Sequence, residues 1–213
     1  MSTFSEETLE QKKQRFIDTL AATGRENMDF VIQDLESWGF FEAPASVRNH
    51  FNHPGGLLEH SLCVYDAAMA MRASLLTLRP DLEARMPVGS IAIAALLHDV
   101  CKADIYRKVQ RARRNEVGQY EKYDEYQVDY SNFPLGHGEK SVVMLLRSGL
   151  DLEDEELMAI RWHMGAWDLA TNSYEQERSY RAACSKTPLV ALIHTADTIS
   201  AQILEAPVET VQQ

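Results

Sequence analysis

One stretch of the sequence, VGSIAIAALLHDVCK at residues 88–102, limits the possible folds more than any other. Residues 88–97 carry no charge and are apolar on every side, so they predict a helix buried at the centre of the molecule. His98, Asp99 and Lys102 follow directly; we predict that the same helix continues through them and that they bring polar groups into that interior. Because burying an unpaired carboxylate costs several kcal/mol, Asp99 requires a nearby cation or several hydrogen bonds.

Helical patterns account for most of the remaining chain and predict an all-α fold. Further helices are predicted at residues 5–21, 26–38, 57–78, 137–147, 155–163 and 188–204. Ser5 is the predicted N-cap of the first of these, and Asp151 or Asp154 is the predicted N-cap of the helix at 155–163. Thr187 followed by Pro188 is a typical helix start and predicts the N-terminus of the last helix.

The stretch between the central helix and the next helix has a different pattern. Residues 107–136 alternate charged and β-prone residues around positions 115–118, which predicts a short β-hairpin or an ordered loop. Its first part is basic and its second part is rich in tyrosine. We interpret the insertion at residues 103–134 as a lid. Local attraction of a small phosphorylated ligand is one explanation of its charges, and a solvated hairpin is the other.

The length and composition predict one main domain. With 213 residues, 45% of them hydrophobic, the chain can bury one substantial core, and no low-complexity segment divides it. We place this domain at residues 46–205, with a helical N-terminal extension at 1–45 packed on it and a C-terminal tail at 206–213.

The charge balance narrows the class of partner. Lys and Arg total 21 against 32 Asp and Glu, and the formal net charge of -11 opposes affinity for long nucleic acids and anionic membranes. We therefore expect a small partner and no membrane span. The chain has three cysteines and no CxxC pair, and its first residues do not show the charged and then apolar pattern of a signal peptide. We therefore expect a cytoplasmic protein. The oligomeric state stays open.

Several polar residues interrupt apolar periodic segments in the same way as His98 and Asp99. They are His60, His137, His163 and Asp197. Five separate predicted helices thus each offer an inward polar group. Imidazole and carboxylate groups without cysteine pairs suit a first-row transition metal better than calcium or structural zinc. Taken singly, each histidine has a plainer explanation as a helix cap or a hydrogen-bonded core residue. Lys102 likewise has a plainer explanation, namely an ion pair with Asp99 on a solvated face.

The ordered set resembles a known family. His60 in GGLLEHS, His98 and Asp99 in LLHDVCK, and Asp197 in HTADTIS resemble the HD-domain metal-dependent phosphohydrolase superfamily over roughly residues 50–205. The additional His137 and His163 resemble the two-metal branch of this superfamily. The likeness extends to the HD half of bacterial 3′-to-5′ exoribonucleases that also carry an OB-fold domain. The helical pattern of the first 45 residues does not match a five-stranded barrel, so processive RNA degradation is not carried over.

The resemblance implies an HD-domain helical bundle with two metal ions. One ion would be held by His60, His98, Asp99 and Asp197, and the second by His137 and His163 with Asp99 bridging. The implied ions are divalent transition metals, namely manganese, iron, cobalt, nickel or zinc, with magnesium also open.

The resemblance also implies two catalytic residues, Asp99 and Lys102. Lys102 matches the family's lysine that is placed to contact a phosphate. Cys101 stands where that motif usually has glycine, which puts close approach of a bulky substrate in doubt. His53, seven residues before His60 in a glycine-containing loop, is a further candidate for substrate binding, and an ordinary loop histidine is the alternative.

The activity implied is hydrolysis of a phosphoester bond by metal-activated water, in a small phosphorylated substrate such as a nucleotide or short oligonucleotide. Two alternatives remain at this point. A minority of HD-domain proteins resemble this six-ligand pattern and use a di-iron centre to oxygenate a small organic substrate. The third hypothesis is a non-catalytic sensor that binds a nucleotide.

Overall fold

The computed structural model describes residues 7–49, 51–115, 117–170 and 173–206. Its helices are α1 (Leu9–Ala21), α2 (Met28–Trp38), α3 (Gly56–Leu78), α4 (Val88–Leu97), α5 (Cys101–Ile105), α6 (His137–Arg147), α7 (Asp154–Arg161), α8 (Tyr174–Lys186) and α9 (Pro188–Ile199). Short 3₁₀ segments cover Pro80–Arg85 and Gly165–Asp168, and a π-helical turn at Ser200–Leu204 follows α9. Strands β1 (Tyr106–Arg114) and β2 (Tyr120–Val128) form one antiparallel hairpin. The prediction of an all-α fold with a small β-hairpin is confirmed.

Helix α4 lies at the centre of the bundle, as its apolar sequence predicts. Its residues from Ile91 to Leu97 are buried, and it packs against α1, α3, α7 and α9. The prediction that this helix continues through His98 and Asp99 is wrong. It ends at Leu97, and α5 begins at Cys101, because the His98 side chain donates from Nδ1 to the carbonyl of Ala95 and caps the last turn. His98 and Asp99 therefore lie in the turn between two helices.

The N-terminal helices share the core of the rest of the chain. Phe16 of α1 packs against Phe40 and Phe41, and all three belong to the same buried cluster as residues of α3 and α4. Arg25, after α1, forms an ion pair of 2.7 Å with the buried Glu156 of α7. These contacts fix the extension on the main bundle, whereas a domain boundary near residue 45 stays a prediction.

Helix α3 begins one residue earlier than predicted, and three other helix starts differ from prediction for a local reason. Helix α1 begins at Leu9, where Thr8 and Gln11 form a capping box, and the predicted cap Ser5 lies outside the described residues. Helix α2 begins two residues later than predicted, because Asn27 takes a left-handed conformation with φ of 62°. The N-cap of α7 is Glu153 rather than Asp151 or Asp154. Glu153 and Glu156 form a capping box, in which the side chain of each accepts a hydrogen bond from the backbone amide of the other.

The ends of two helices are also corrected. Helix α7 ends at Arg161 rather than at residue 163, because the backbone leaves the helical region at Trp162. Helix α9 begins as predicted, with Thr187 as N-cap and Pro188 as its first residue, but it ends at Ile199, and the π-helical turn takes its place up to residue 204. The predicted C-terminal tail at 206–213 lies outside the described residues apart from its first residue.

Three cations of the hairpin are paired with its own acids. Lys108 lies 2.8 Å from Asp124, and Arg111 lies 2.8 Å from Glu125 on the opposite strand. Arg113 lies 2.6 Å from Glu121 in the same way. The acids of β2 thus pair with the basic run of β1, which favours the explanation of a solvated hairpin. Its role as a lid stays a prediction.

A membrane-spanning helix would have to be long and apolar along its whole length. No helix in the described part of the chain meets both conditions.

Candidate metal centre

Two helix ends orient His98 and His163 in the same manner. His98 follows α4 and donates from Nδ1 to the carbonyl of Ala95 at 2.8 Å, and His163 follows α7 and donates from Nδ1 to the carbonyl of Ile160 at 2.7 Å. Because Nδ1 carries the proton in both rings, each Nε2 is an acceptor. Both Nε2 atoms are buried, and neither has a hydrogen-bond partner among the residues that the structure describes.

A glycine brings the third histidine to this pair. His137 is the first residue of α6, and its ring centroid lies 5.2 Å from that of His163. Gly138 packs so closely on α7 that a Cβ at this position would lie 2.1 Å from the carbonyl oxygen of Arg161. Any larger residue would push α6 and His137 away from His163.

Helices α3 and α9 pack against each other and supply the fourth histidine and a carboxylate. His60 of α3 places Nε2 3.2 Å from Oδ1 of Asp197 in α9. The His60 ring centroid lies 5.3 Å from that of His98, which joins this pair to the end of α4. All four histidines thus face one interior space.

Asp99 lies at the middle of this space and divides it. Its Oδ1 faces His137 at 2.6 Å and His163 at 3.4 Å. Its Oδ2 faces His98 at 3.2 Å and His60 at 3.5 Å. An imidazole lone pair that points at an ionised carboxylate oxygen is unfavourable unless a cation lies between them. Asp99 therefore offers one oxygen to each of two histidine pairs. Because the carboxylate can only accept, Nε2 of His137 donates to Oδ1, and an ion on that side would displace this proton.

The donor atoms have the composition and spacing of a metal site. Donor atoms lie within 4.8 Å of one another in three groups: His60 with His98 and Asp99, His98 with His163 and Asp197, and Asp99 with His137 and His163. Imidazole nitrogens and carboxylate oxygens are the donors that first-row transition metals accept together. The structure brings together all six residues predicted as ligands, and the residues present fit a divalent ion.

Both carboxylates of the cluster stay ionised. Burial by itself raises the pKa of Asp99, but the charge of Lys102, followed by interactions with His98 and His137, outweighs burial and holds this pKa well below its usual range. Burial also raises the pKa of Asp197, and the hydrogen bond from His60 with the nearby imidazoles lowers it further than burial raises it. The two groups are therefore in the form that binds a cation.

The histidines differ in their protonation. Burial lowers the pKa of His163 below its usual value, so this ring is neutral and ready to ligate. Burial also lowers the pKa of His60, but hydrogen bonds with carboxylates, led by Asp197, outweigh it and raise this pKa well above the usual value. A metal ion that binds at His60 must displace a proton, and binding then weakens as the pH falls.

Lys102 contacts the same carboxylate as the histidines. Its Nζ lies 2.5 Å from Oδ2 of Asp99, and its side chain is 11% exposed. The ion pair of the plainer explanation therefore exists, but it is buried rather than solvated. Burial lowers the pKa of Lys102, and the charge of Asp99 raises it by more, so the ammonium stays charged. Its contact with a phosphate stays a prediction.

The remaining candidate, His53, lies in the loop before α3. Its Nε2 is 3.3 Å from Oε2 of Glu59, and its ring packs against Phe51. The structure thus gives it a partner on the first turn of α3, and its contact with substrate stays a prediction.

Three further residues contact the candidate ligands, and of these the sequence interpretation passed over only Glu205. Glu205 places Oε1 2.8 Å from Nδ1 of His60, and Cys101 places Sγ 3.4 Å from Nδ1 of His137. His194 donates from Nδ1 to the carbonyl of His163 at 2.6 Å. The signal in the sequence for Glu205 is weak: it is an acid at the end of an apolar helical pattern, eight residues after Asp197.

Comparison with known proteins gives two matches and one negative result. The HD domain family matches residues 57–202 of this chain. The dihydroneopterin 2′,3′-cyclic phosphate phosphodiesterase of Methanocaldococcus jannaschii is 35% identical over 89 residues, which is 42% of this chain and 32% of the relative. The matched stretch thus spans about a third of that relative's length. No solved structure matches the chain.

Proposed function

The chain belongs to the HD-domain family, and we propose that it is a metal-dependent phosphohydrolase that cleaves a phosphoester bond in a small, nucleotide-like substrate. The observation that carries this proposal is the pair of buried Nε2 atoms of His98 and His163, which face the two oxygens of Asp99. The acceptor atoms require a cation between them, and divalent cations are the usual means of activating phosphoester hydrolysis.

The two sides of Asp99 define the proposed ligand sets. One ion would be held by His60, His98, Asp197 and Oδ2 of Asp99, and the other by His137, His163 and Oδ1 of Asp99. When bound, such ions lower the pKa of water and polarise the phosphoryl group.

The chain's own residues would do the remaining work. Asp99 would keep the two ion positions at a fixed separation, since its carboxylate faces both histidine pairs. Lys102, which is charged and slightly exposed beside Asp99, would bind phosphoryl oxygens and neutralise the charge that develops on them. Burial of His60, His98 and His163 holds these groups in place before substrate arrives.

The substrate class follows from charge and from the relative. The chain carries a formal net charge of -11, and three cations of the hairpin, Lys108, Arg111 and Arg113, are paired with acids, which favours a small ligand over a long nucleic acid. The relative is named for a 2′,3′-cyclic phosphate, so a cyclic phosphodiester on a nucleoside is the first substrate to test.

The experiment measures bound metal in the purified protein and then product formation from a panel of nucleoside 2′,3′-cyclic phosphates, nucleoside monophosphates and short oligonucleotides. We expect hydrolysis that depends on a divalent ion and that is lost in Asp99→Asn. Glu156→Gln is the matched control, because Glu156 is a buried carboxylate that pairs with Arg25 outside the cluster.

Two results would overturn the proposal. Iron in the protein with oxygen-dependent turnover of an organic substrate would favour the di-iron oxygenase. Tight nucleotide binding by the metal-loaded protein with no product over hours would favour the non-catalytic sensor.

A further inference from the structure

We propose that Glu205 is a positioning residue of the metal centre: its carboxylate fixes the ring and the proton of His60 and thereby raises the metal affinity of the His60 side. This inference rests on the proposed function, since it assigns a role toward the same ions. Glu205 lies three residues beyond the stretch that matches the HD domain family, so the family match assigns it no role.

The contact is short, buried and distant in sequence. Oε1 of Glu205 lies 2.8 Å from Nδ1 of His60, the two residues are 145 positions apart, and both side chains are fully buried. A carboxylate accepts, so Nδ1 of His60 must donate. Nε2 is then left to face Asp197 at 3.2 Å and Asp99 at 3.5 Å. The hydrogen bond thus selects the tautomer that can ligate.

His60 requires such a partner because of its place in the helix. His98 and His163 each stand at a helix end and donate to a carbonyl three residues earlier in the chain. His60 is the fifth residue of a 23-residue helix, where neighbouring carbonyls are already occupied by helical hydrogen bonds. Its Nδ1 must find an acceptor on another element. An ionised acceptor forms a stronger hydrogen bond than a neutral carbonyl and makes the ring a more basic ligand.

The backbone after α9 is shaped so that Glu205 reaches this position. The amide of Glu205 bonds to the carbonyl of Ser200 at 2.9 Å, five residues back, which is the hydrogen bond of a π-helical turn. In a continued α-helix Glu205 would point roughly 80° away from Asp197, since eight residues make two turns and 80° more. The wider turn changes that direction. Turns of this type occur frequently at functional sites.

A second contact holds the carboxylate from the other helix. The Cys63 thiol of α3 faces Glu205, and burial raises the pKa of Cys63 to about 12. The thiol therefore keeps its proton and can donate to the carboxylate. Cys63 and His60 lie three residues apart on one face of α3, so α3 contacts Glu205 twice.

The test compares Glu205→Gln, Glu205→Ala and the control Glu156→Gln by calorimetric titration with Mn²⁺ and Zn²⁺. We expect Glu205→Ala to weaken one binding event by about 10- to 100-fold, the usual effect of removing a residue that orients a ligand. Glu205→Gln should show a smaller loss, because the amide oxygen still accepts from His60 but carries no charge. Glu156→Gln should leave metal affinity unchanged, although it removes a buried carboxylate.

Side-chain nitrogen NMR of the histidines separates positioning from a purely structural role. In the wild-type chain with Zn²⁺ bound we expect His60 to be protonated at Nδ1, and in Glu205→Gln we expect its Nδ1 proton signal to shift. A wild-type spectrum with His60 protonated at Nε2 would overturn the inference even if Glu205→Ala does not fold. Unchanged metal affinity in a folded Glu205→Ala would overturn the inference alone, whereas wild-type protein that binds no divalent ion would overturn the proposed function as well.

Discussion

The candidate metal centre and the hairpin are both rich in charged residues, but the charges have opposite surroundings in the two regions. On the hairpin, each of Lys108, Arg111 and Arg113 faces an acid on the neighbouring strand, and these side chains stand in solvent. In the centre, buried imidazole acceptors face the carboxylate of Asp99. Ion pairs on a surface require no ligand. Buried hydrogen-bond acceptors that face each other require a cation between them.

The two regions also differ in what their polar groups contribute to the free energy of unfolding. Exposed ion pairs contribute about 0–1 kcal/mol each, so the hairpin pairs change stability little. Several buried polar groups in one place cost several kcal/mol unless a partner compensates them. A fold that keeps such groups in its core is expected to regain this free energy when a ligand binds. The predictions below change one region at a time.

The largest effect is expected for Asp99→Asn. The substitution removes the charge shared by the two histidine pairs, so we expect metal content to fall and turnover to drop more than 100-fold, beyond the loss of about 10- to 100-fold for a residue that only orients a ligand. Asp124→Asn on the hairpin is the matched control and should retain both. Elemental analysis and a phosphodiester assay measure the two quantities. Normal turnover in Asp99→Asn would refute the site.

Metal removal should lower the stability of the whole bundle. At a free ion concentration 100 times Kd, one bound ion adds about 2.7 kcal/mol to the free energy of unfolding, or roughly 5–10 °C in Tm for a chain of this length. Thermal unfolding with and without a chelator measures the shift, and Asp124→Asn should show the same shift as the wild type. An equal shift in Asp99→Asn would mean that the ion binds elsewhere.

A smaller effect is expected for Lys102→Ala. This change removes a cation beside Asp99 but none of the six donors, so we expect metal content to stay and turnover of a phosphodiester to fall about 10-fold or more. Lys108→Ala removes a lysine whose Nζ is paired with Asp124 on the hairpin and should leave the rate unchanged. Equal rates for Lys102→Ala and the wild type would reduce Lys102 to a structural ion pair.

The sequence predicts the centre well where the signal is local. An apolar stretch that is interrupted by His98 and Asp99 is visible without coordinates, and so is the same interruption at His60 and Asp197. Each of these residues costs free energy in a core, which is why the pattern indicates a ligand. The central position of α4 follows from the same pattern.

Other features depend on contacts that the sequence does not display. The end of α4 at Leu97 is set by the His98 ring, which bonds back to Ala95, and no glycine or proline marks it. Glu205 reaches His60 across 145 residues through a π-helical turn, which has no simple sequence signal. Helix α8 was not predicted, because among its residues only Ala183 is buried and its pattern has no apolar stripe.

The smallest effect is expected for Arg111→Ala on the hairpin. Arg111 and Glu125 are both partly exposed, so we expect the free energy of unfolding to change by less than about 1 kcal/mol, with metal content and turnover unchanged. Urea unfolding measures this change, and the difference from the wild type should become smaller at 1 M salt, where the Debye length falls to about 3 Å. If turnover of a small phosphodiester falls while metal content stays, Arg111 acts on the ligand. The hairpin would then be a lid that attracts substrate, and its charges would bind a ligand, as those of the candidate metal centre are proposed to do.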